Sequence, residues 1–273
     1  MRIRFWGVRG STPTPQPENL RYGGNTPCVE VRSDAGALLI VDCGTGLRML
    51  GKTLMSEFGG RPIRAHILIS HFHWDHIQGL PFFTPLYHPA NWFHLHSFHP
   101  HEGSLELALG GQMTNPYFPV NMTAMRAQRQ YSELGREMSE FDDFRVRAGK
   151  INHPQGCLAF RIENNGKTVV YATDNEPGDS ESDKTVRELC RGADVLIYDA
   201  QYTHAALDRE KRGWGHSSWE DGVRVAKASG VKRLILFHHD PDNDDRAIDR
   251  LQEDCRVQFP HSSAAYEVMD IKV

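Results

Sequence analysis

A short apolar run that ends in four metal-ligand residue types is the feature that most constrains this chain. Residues 67–70 have the pattern of a buried strand, and residues 77–80 indicate the start of a helix. The residues between them that can bind a metal are His71, His73, Asp75 and His76. Because side chains alternate along a strand, the first two leave it on one side, and the following turn brings the other two nearby. Three imidazoles and a carboxylate within six residues suit borderline cations such as zinc, and two pairs of differing geometry suit two ions.

The alternative is a surface cluster that binds no metal, because the chain contains 15 histidines. The position of the cluster, where a strand ends and a helix begins, favours the metal site.

Length and composition are those of an ordinary globular protein. The 273 residues suffice for a sizeable core, and no low-complexity linker interrupts them, so we expect one domain over residues 1–273. The net charge of −4 gives no general attraction for polyanions, although a local basic patch remains compatible with it. The composition therefore does not favour bulk nucleic-acid binding.

The five cysteines are widely spaced and form no CxxC pair, which argues against both a disulfide framework and a cysteine zinc site. The N-terminal residues contain no apolar signal core, and no run reaches about eighteen apolar residues. We therefore expect a cytoplasmic protein with no membrane segment.

Ligand-type residues recur where other predicted strands end. Apolar strands are predicted at residues 167–173, 195–198 and 231–237, and one loop histidine lies between strands at 144–148 and 157–163. The residues in these positions are Asp174, Asp199, His238 and His153. Apolar strands interleaved with helices, in two strand-rich halves, favour an α/β fold, a four-layer αββα sandwich, over a barrel.

A strand at residues 37–42 ends in a glycine turn before an amphipathic helix. Neither phosphate-binding glycine pattern is present, so we interpret the glycines as backbone geometry and expect Asp42 to orient a metal ligand. A helical pattern is predicted near residues 102–109, and a capping box is predicted at residues 217–220, at the start of a later helix.

Two further groups of residues allow more than one interpretation. Five histidines follow the metal stretch without a carboxylate or a strand end beside them, and we interpret them as edge or surface residues: His88, His94, His96, His99 and His101. The apolar stretches 81–87 and 113–119 suit a homodimer face as well as a pocket wall.

The pattern HxHxDH at residues 71–76 resembles the metal-binding signature of the metallo-β-lactamase fold superfamily, and the later motifs of that superfamily follow in order. Within it, the chain is most similar to the phosphodiesterase branch that includes ribonuclease Z and the cyclic-phosphate phosphodiesterases. The stretches that carry this similarity are residues 5–13, 23–26, 42–46 and 215–218. The resemblance implies an αββα sandwich with a dinuclear site along one edge.

The resemblance also implies roles for individual residues. His71, His73 and His153 would hold one divalent metal ion, and Asp75, His76 and His238 would hold the other. Asp174 would bridge the two ions, which we expect to be Zn²⁺, with Mn²⁺ as the alternative. His239 competes with His238 for the last ligand position.

By the same resemblance, three residues are expected to act in catalysis. Asp75 would orient the nucleophile while binding metal. His216, oriented by Asp199, is suited to donate a proton to a leaving alkoxide. The alternative for this pair is a purely structural hydrogen bond.

One departure from the family pattern bears on the substrate. Bacterial ribonuclease Z enzymes carry a tRNA-gripping arm between the third histidine and the bridging aspartate, whereas only residues 154–173 separate them here. This argues against structured tRNA and favours a small phosphodiester substrate, such as a cyclic nucleotide or cyclic phosphate. The alternatives are hydrolysis of a thioester, lactone or β-lactam, and a non-catalytic sensor that keeps its metals for folding.

Overall fold

A computed structural model describes residues 1–99 and 103–273, and within these ranges the chain forms two seven-stranded sheets. The strands are β1 (Arg2–Gly7), β2 (Cys28–Arg32), β3 (Leu38–Val41), β4 (Arg64–Leu68), β5 (Trp92–Ser97), β6 (Gln128–Glu133), β7 (Met138–Phe141), β8 (Phe144–Ile151), β9 (Cys157–Asn164), β10 (Lys167–Ala172), β11 (Val195–Asp199), β12 (Arg233–Phe237), β13 (Ser262–Ala264) and β14 (Asp270–Lys272). The α-helices are α1 (Leu47–Phe58), α2 (Trp74–Ile77), α3 (Leu105–Gly110), α4 (Ser180–Cys190), α5 (His204–Ala206), α6 (Trp219–Ser229) and α7 (Asp245–Gln258).

The two sheets have similar internal organisation. The first has the order β14-β1-β2-β3-β4-β5-β6, with antiparallel pairs up to β3 and parallel pairs from β3 to β6. The second has the order β13-β12-β11-β10-β9-β8-β7, with parallel pairs up to β10 and antiparallel pairs beyond it. The parallel strands of each sheet therefore end at a common edge.

Three apolar layers hold the four structural layers together. The central layer lies between the sheets and includes Phe5, Phe160 and Phe237, each fully buried. A second layer packs α1 and α3 on the outer face of the first sheet, and a third packs α4, α6 and α7 on the second. The αββα sandwich is confirmed.

Local details differ from the predictions in three places. The edge strands β6 and β7 were not predicted, because β6 is mainly polar and β7 has only four residues. The capping box lies one residue later than predicted, between Ser218 and Asp221, since the hydroxyl of Ser217 donates inward to the carbonyl of Asn175. The helix predicted near residues 102–109 is observed from Leu105, and Glu102 and His101 lie outside the described residues.

The other histidines of this region do not share one environment. His88 and His99 are exposed, as predicted. The surface interpretation is wrong for His96, which is only 1% exposed, and His94 is half-buried. Both lie on β5, whose alternation turns them towards the opposite sheet.

All five cysteines are free and buried, in agreement with the prediction of no disulfide framework. Among residues 1–99 and 103–273, we find no helix long and apolar enough to cross a membrane.

Candidate metal centre

The centre lies where the parallel strands of the two sheets end. The stretch after β4 carries His71 and His73 and then enters α2, which carries Asp75 and His76. Three other strand ends contribute one residue each in the left-handed backbone region, with φ near 60°: Asp42 after β3, Asp174 after β10 and His238 after β12. Such a conformation is uncommon for non-glycine residues and collects at functional sites.

Three histidines form a first triad, namely His71, His73 and His153. One ring nitrogen from each lies within 4.8 Å of one from each of the others, and His153 Nε2 is 3.0 Å from His73 Nδ1. His153 Nδ1–H donates to the carbonyl of Gly215 at 2.8 Å. This hydrogen bond leaves the lone pair of Nε2 facing the triad, as in a metal-binding histidine.

The second triad consists of Asp75, His76 and His238. Asp75 Oδ2 lies 3.2 Å from His238 Nε2 and 3.3 Å from His76 Nε2, and the two ring nitrogens are 3.2 Å apart. His238 Nδ1–H donates to Gln201 Oε1 at 2.9 Å, so its Nε2 again faces the cluster with a free lone pair.

The carboxylate of Asp174 lies between the two triads. Its Oδ1 is 3.8 Å from His71 Nε2 and 3.9 Å from His153 Nε2. Its Oδ2 is 3.3 Å from His76 Nε2 and 3.4 Å from His238 Nε2. Each oxygen thus faces one triad, which is the arrangement that a bridging ligand requires.

The donor set fits two divalent cations. His71 Nε2 and Asp174 Oδ2 are buried and have no hydrogen-bond partner among the described residues. Buried polar atoms without partners are costly, and a cation bound between these groups would satisfy both. Five imidazoles and two carboxylates are ligand types that zinc accepts.

The electrostatics of the centre agree with this fit. Burial lowers the pKa of His71 well below its ordinary value, and burial likewise lowers the pKa of His153 to about 4, so both rings are neutral as ligands must be. Burial opposes charge on His76 too, but Asp75, Asp174 and Asp42 outweigh it and raise the pKa of this imidazole well above its ordinary value. The buried carboxylates of Asp75, Asp174 and Asp42 therefore require a positive charge close to them.

Asp42 holds the second ring nitrogen of His76 and so orients this imidazole of the second triad. Its Oδ2 accepts hydrogen bonds from His76 Nδ1 at 2.8 Å and from the hydroxyls of Ser70 at 2.8 Å and Tyr171 at 2.7 Å. Its Oδ1 accepts the backbone N–H of Ser70 at 2.7 Å. A carboxylate on the second nitrogen of a ligand histidine fixes its tautomer and raises its basicity.

We therefore expect the Asp42→Asn variant to bind metal about 10- to 100-fold more weakly, because this is the usual effect of losing such an orienting carboxylate. Metal affinity would be measured by competition with a chromophoric chelator. Glu267→Gln is a suitable control, since the carboxylate of Glu267 accepts hydrogen bonds from the backbone and side chain of Asn25 instead of from a ligand histidine. Equal affinities of Asp42→Asn and wild type would contradict the orienting role.

A histidine and aspartate pair lies beside Asp174. His216 Nδ1–H donates to Asp199 Oδ2 at 2.9 Å, and the same carboxylate accepts the backbone N–H of Asp174 at 3.0 Å. Burial lowers the pKa of His216, but the charge and hydrogen bond of Asp199 outweigh burial and raise it to about 9. Because Nδ1 is held by Asp199, Nε2 is the nitrogen that can donate a proton.

The rival ligand histidine faces away from the centre. His239 Nε2–H donates to the carbonyl of Ala265 at 2.8 Å, while His238 Nε2 faces Asp75 and Asp174. The geometry thus favours His238 for the last ligand position.

Two residues of the site were not predicted from the sequence. Gln201 holds His238, and the backbone N–H of Ser11 donates to Asp75 Oδ2 at 2.8 Å. Gln201 lies just after Asp199, the last residue of β11, so its position at a strand end could have identified it as a residue of the site. Ser11 contributes through its backbone at a φ of 61°, which side-chain chemistry does not reveal.

Comparison with known proteins identifies the family of the chain. The family model described as "Beta-lactamase superfamily domain" matches residues 38–239. The ribonuclease Z of Thermoplasma acidophilum is 26% identical over an alignment that covers 100% of this chain and 96% of that protein.

Solved structures show the same fold. The metallo-beta-lactamase fold protein YhfI from Bacillus subtilis has a TM-score of 0.72 at 19% identity, covering 99% of this chain and 98% of that one. A diphosphatase from the PhnP family has a TM-score of 0.69 at 18% identity, covering 100% and 97%. The chain therefore belongs to the beta-lactamase superfamily and has the metallo-beta-lactamase fold.

Proposed function

We propose that this protein is a dinuclear metal-dependent phosphodiesterase that hydrolyses small phosphodiesters such as cyclic nucleotides or cyclic phosphates. The observation that carries the proposal is the position of Asp174, whose two oxygens face two separate triads of ligand-type residues. The ribonuclease Z relative, an enzyme named for its action on RNA, supports phosphodiester chemistry.

Each triad would hold one metal ion, and Asp174 would contact both. Zn²⁺ fits the histidine-rich donors best, with Mn²⁺ as the alternative. Bound cations of this kind supply Lewis-acid polarisation of a phosphoryl oxygen and lower the pKa of an attacking water.

The protein residues would divide the remaining work. Asp75 Oδ2, held by the backbone N–H of Ser11, would orient the attacking water. On the other side, His216 would pass the proton on Nε2 to the leaving oxygen as the P–O bond breaks, while Asp199 holds Nδ1. The products are a phosphate monoester and an alcohol, which in a cyclic substrate belong to one molecule.

Two features support a small substrate. Residues 154–173 contain β9, β10 and their tight turn at Asn165 and Gly166, both with positive φ, so this segment is an ordinary hairpin with no arm. A cavity of about 230 Å³ lies beside His71 and His73 and is lined by Phe72 and Phe98. Its aromatic wall suits a nucleobase.

The test is hydrolysis of 2′,3′- and 3′,5′-cyclic nucleotides by protein stripped with a chelator and reconstituted with zinc or manganese. We expect metal-dependent conversion to the nucleotide monoester, and loss of it in Asp75→Asn. A precursor tRNA serves as the comparison substrate. Efficient processing of the tRNA with no cleavage of either cyclic nucleotide would overturn the proposed substrate class.

A further inference from the structure

A second group of histidines lies between the two sheets, away from the metal centre. It consists of His66 on β4 and of His94 and His96 on β5, and we call it the inter-sheet cluster. Among the described residues, it shares no member with the other groups of ligand-type residues, all of which belong to the dinuclear centre or to the His216 and Asp199 pair beside it. The cluster is therefore separate from the dinuclear centre.

Strand register brings the three imidazoles together. His66 and His94 are direct partners across the parallel β4–β5 pair, and His96 is two residues further on the same face. One ring nitrogen from each lies within 4.8 Å of one from each of the others. The closest pair is His66 Nδ1 and His96 Nε2, at 3.0 Å.

The surroundings exclude most of the solvent from this group. His66 is 8% exposed and His96 is 1% exposed, while His94 is half-buried and leaves an opening to solvent. Phe141 of the opposite sheet packs against both buried rings, at centroid distances of 4.8 Å from His66 and 4.2 Å from His96. Burying an apolar side chain at these positions would cost less free energy, because a buried polar group is unfavourable unless it has a hydrogen-bond or metal partner.

Two of the three rings have the polar partners that are usual for ligand histidines. Nε2 of His94 is 2.7 Å from the hydroxyl of Ser132, and Nε2 of His66 is 3.7 Å from Asp142 Oδ2. The second nitrogens of two rings are thus held by a hydroxyl and faced by a carboxylate, as ligand histidines usually are. His96 Nδ1 is buried without a partner among the described residues.

We propose that His66, His94 and His96 bind one divalent transition-metal ion of the zinc class, distinct from the two ions of the dinuclear centre. Three neutral imidazoles with an open position towards solvent at His94 suit a tetrahedral ion whose fourth ligand is water. Burial lowers the pKa of all three histidines, and that of His96 to about 3, so their lone pairs are available near neutral pH.

The ion would stabilise the edge of the sandwich farthest from β13 and β14. It would join β4 to β5, while Phe141 and Asp142 connect the cluster to β7 and its turn in the other sheet. Because metal binding to the folded state alone stabilises that state, zinc would raise the unfolding temperature beyond the effect of the dinuclear centre.

The test is anomalous diffraction at the zinc edge from crystals of the full wild-type chain soaked with zinc, which requires no variant. We expect a peak among the three rings in addition to the peaks at the dinuclear centre. The absence of this peak, with the dinuclear centre filled, would overturn the proposal and leave the cluster as a hydrogen-bonded group of imidazoles without a metal.

Zinc stoichiometry in solution gives an independent readout. His94→Asn should bind one zinc ion fewer per chain than wild type, with phosphodiester turnover unchanged. His99→Asn is the matched control, because this exposed histidine lies close by and contacts Glu133 instead of the cluster. Equal zinc content in His94→Asn and wild type would contradict the proposal.

Discussion

Replacing Asp174 with alanine is expected to lower phosphodiester turnover by about 10³-fold or more and to remove at least one of the two metal ions of the dinuclear centre. Asp174 places one oxygen towards each triad, so its removal would take a ligand from both proposed metal sites. Metal ions contribute several kcal/mol to such reactions, and each 1.36 kcal/mol corresponds to tenfold in rate. Bound metal and kcat would be measured on the same preparation.

Two controls separate the bridging role from a general structural one. Asp174→Asn keeps the shape of the side chain but removes its charge, and we expect it to lose turnover and metal as the alanine variant does. Asp194→Asn changes an aspartate that lies just before β11 and forms an ion pair with Lys232. For this variant we expect the metal content and the phosphodiester turnover of the wild type. Full metal occupancy with normal turnover in Asp174→Ala would contradict the bridging assignment.

The second large effect is expected for His216→Ala. If this imidazole protonates the leaving oxygen, its removal should slow cleavage of a cyclic nucleotide by about 10²- to 10⁴-fold, the usual contribution of a general acid. Cleavage of bis(p-nitrophenyl) phosphate should slow much less, because p-nitrophenolate leaves without a proton. Metal content should stay at the wild-type level. The comparison of kcat on the two substrates is the decisive measurement.

A second histidine, His204 on α5, provides the control for His216→Ala. His204 donates to Asp221 at 3.1 Å and is partly exposed, so His204→Ala removes a similar pair outside the centre. We expect little change on either substrate. Equal losses on both substrates in His216→Ala would indicate that the pair with Asp199 is structural and would remove His216 from the proposed mechanism.

The residues of the centre could be predicted because each follows a recognisable strand. Apolar runs of five or six residues that end in Asp or His place those side chains at one sheet edge, and the αββα arrangement brings the two edges together. This reasoning placed Asp174 and His238 at one sheet edge, where their side chains lie 3.4 Å apart, and Asp42 after β3, where it contacts His76.

Other features depend on information that no local pattern contains. The contribution of Ser11 comes from a backbone N–H at positive φ, and the edge strand β6 is too polar to be distinguished from a loop. His96 was assigned to the surface because the alternation of β5 does not reveal which of its faces meets the other sheet. Its burial becomes clear only from the contact with Phe141.

Turnover of bis(p-nitrophenyl) phosphate by the zinc-loaded protein, beside thioester and lactone substrates, tests the central claim most directly. Asp75→Ala controls for contaminating activity, since this carboxylate belongs to the second triad and to the proposed water-orienting group. We predict cleavage of the phosphodiester that requires both added metal and Asp75. Cleavage of the acyl substrates alone, or no cleavage of any substrate with both metals bound, would contradict the assignment as a phosphodiesterase.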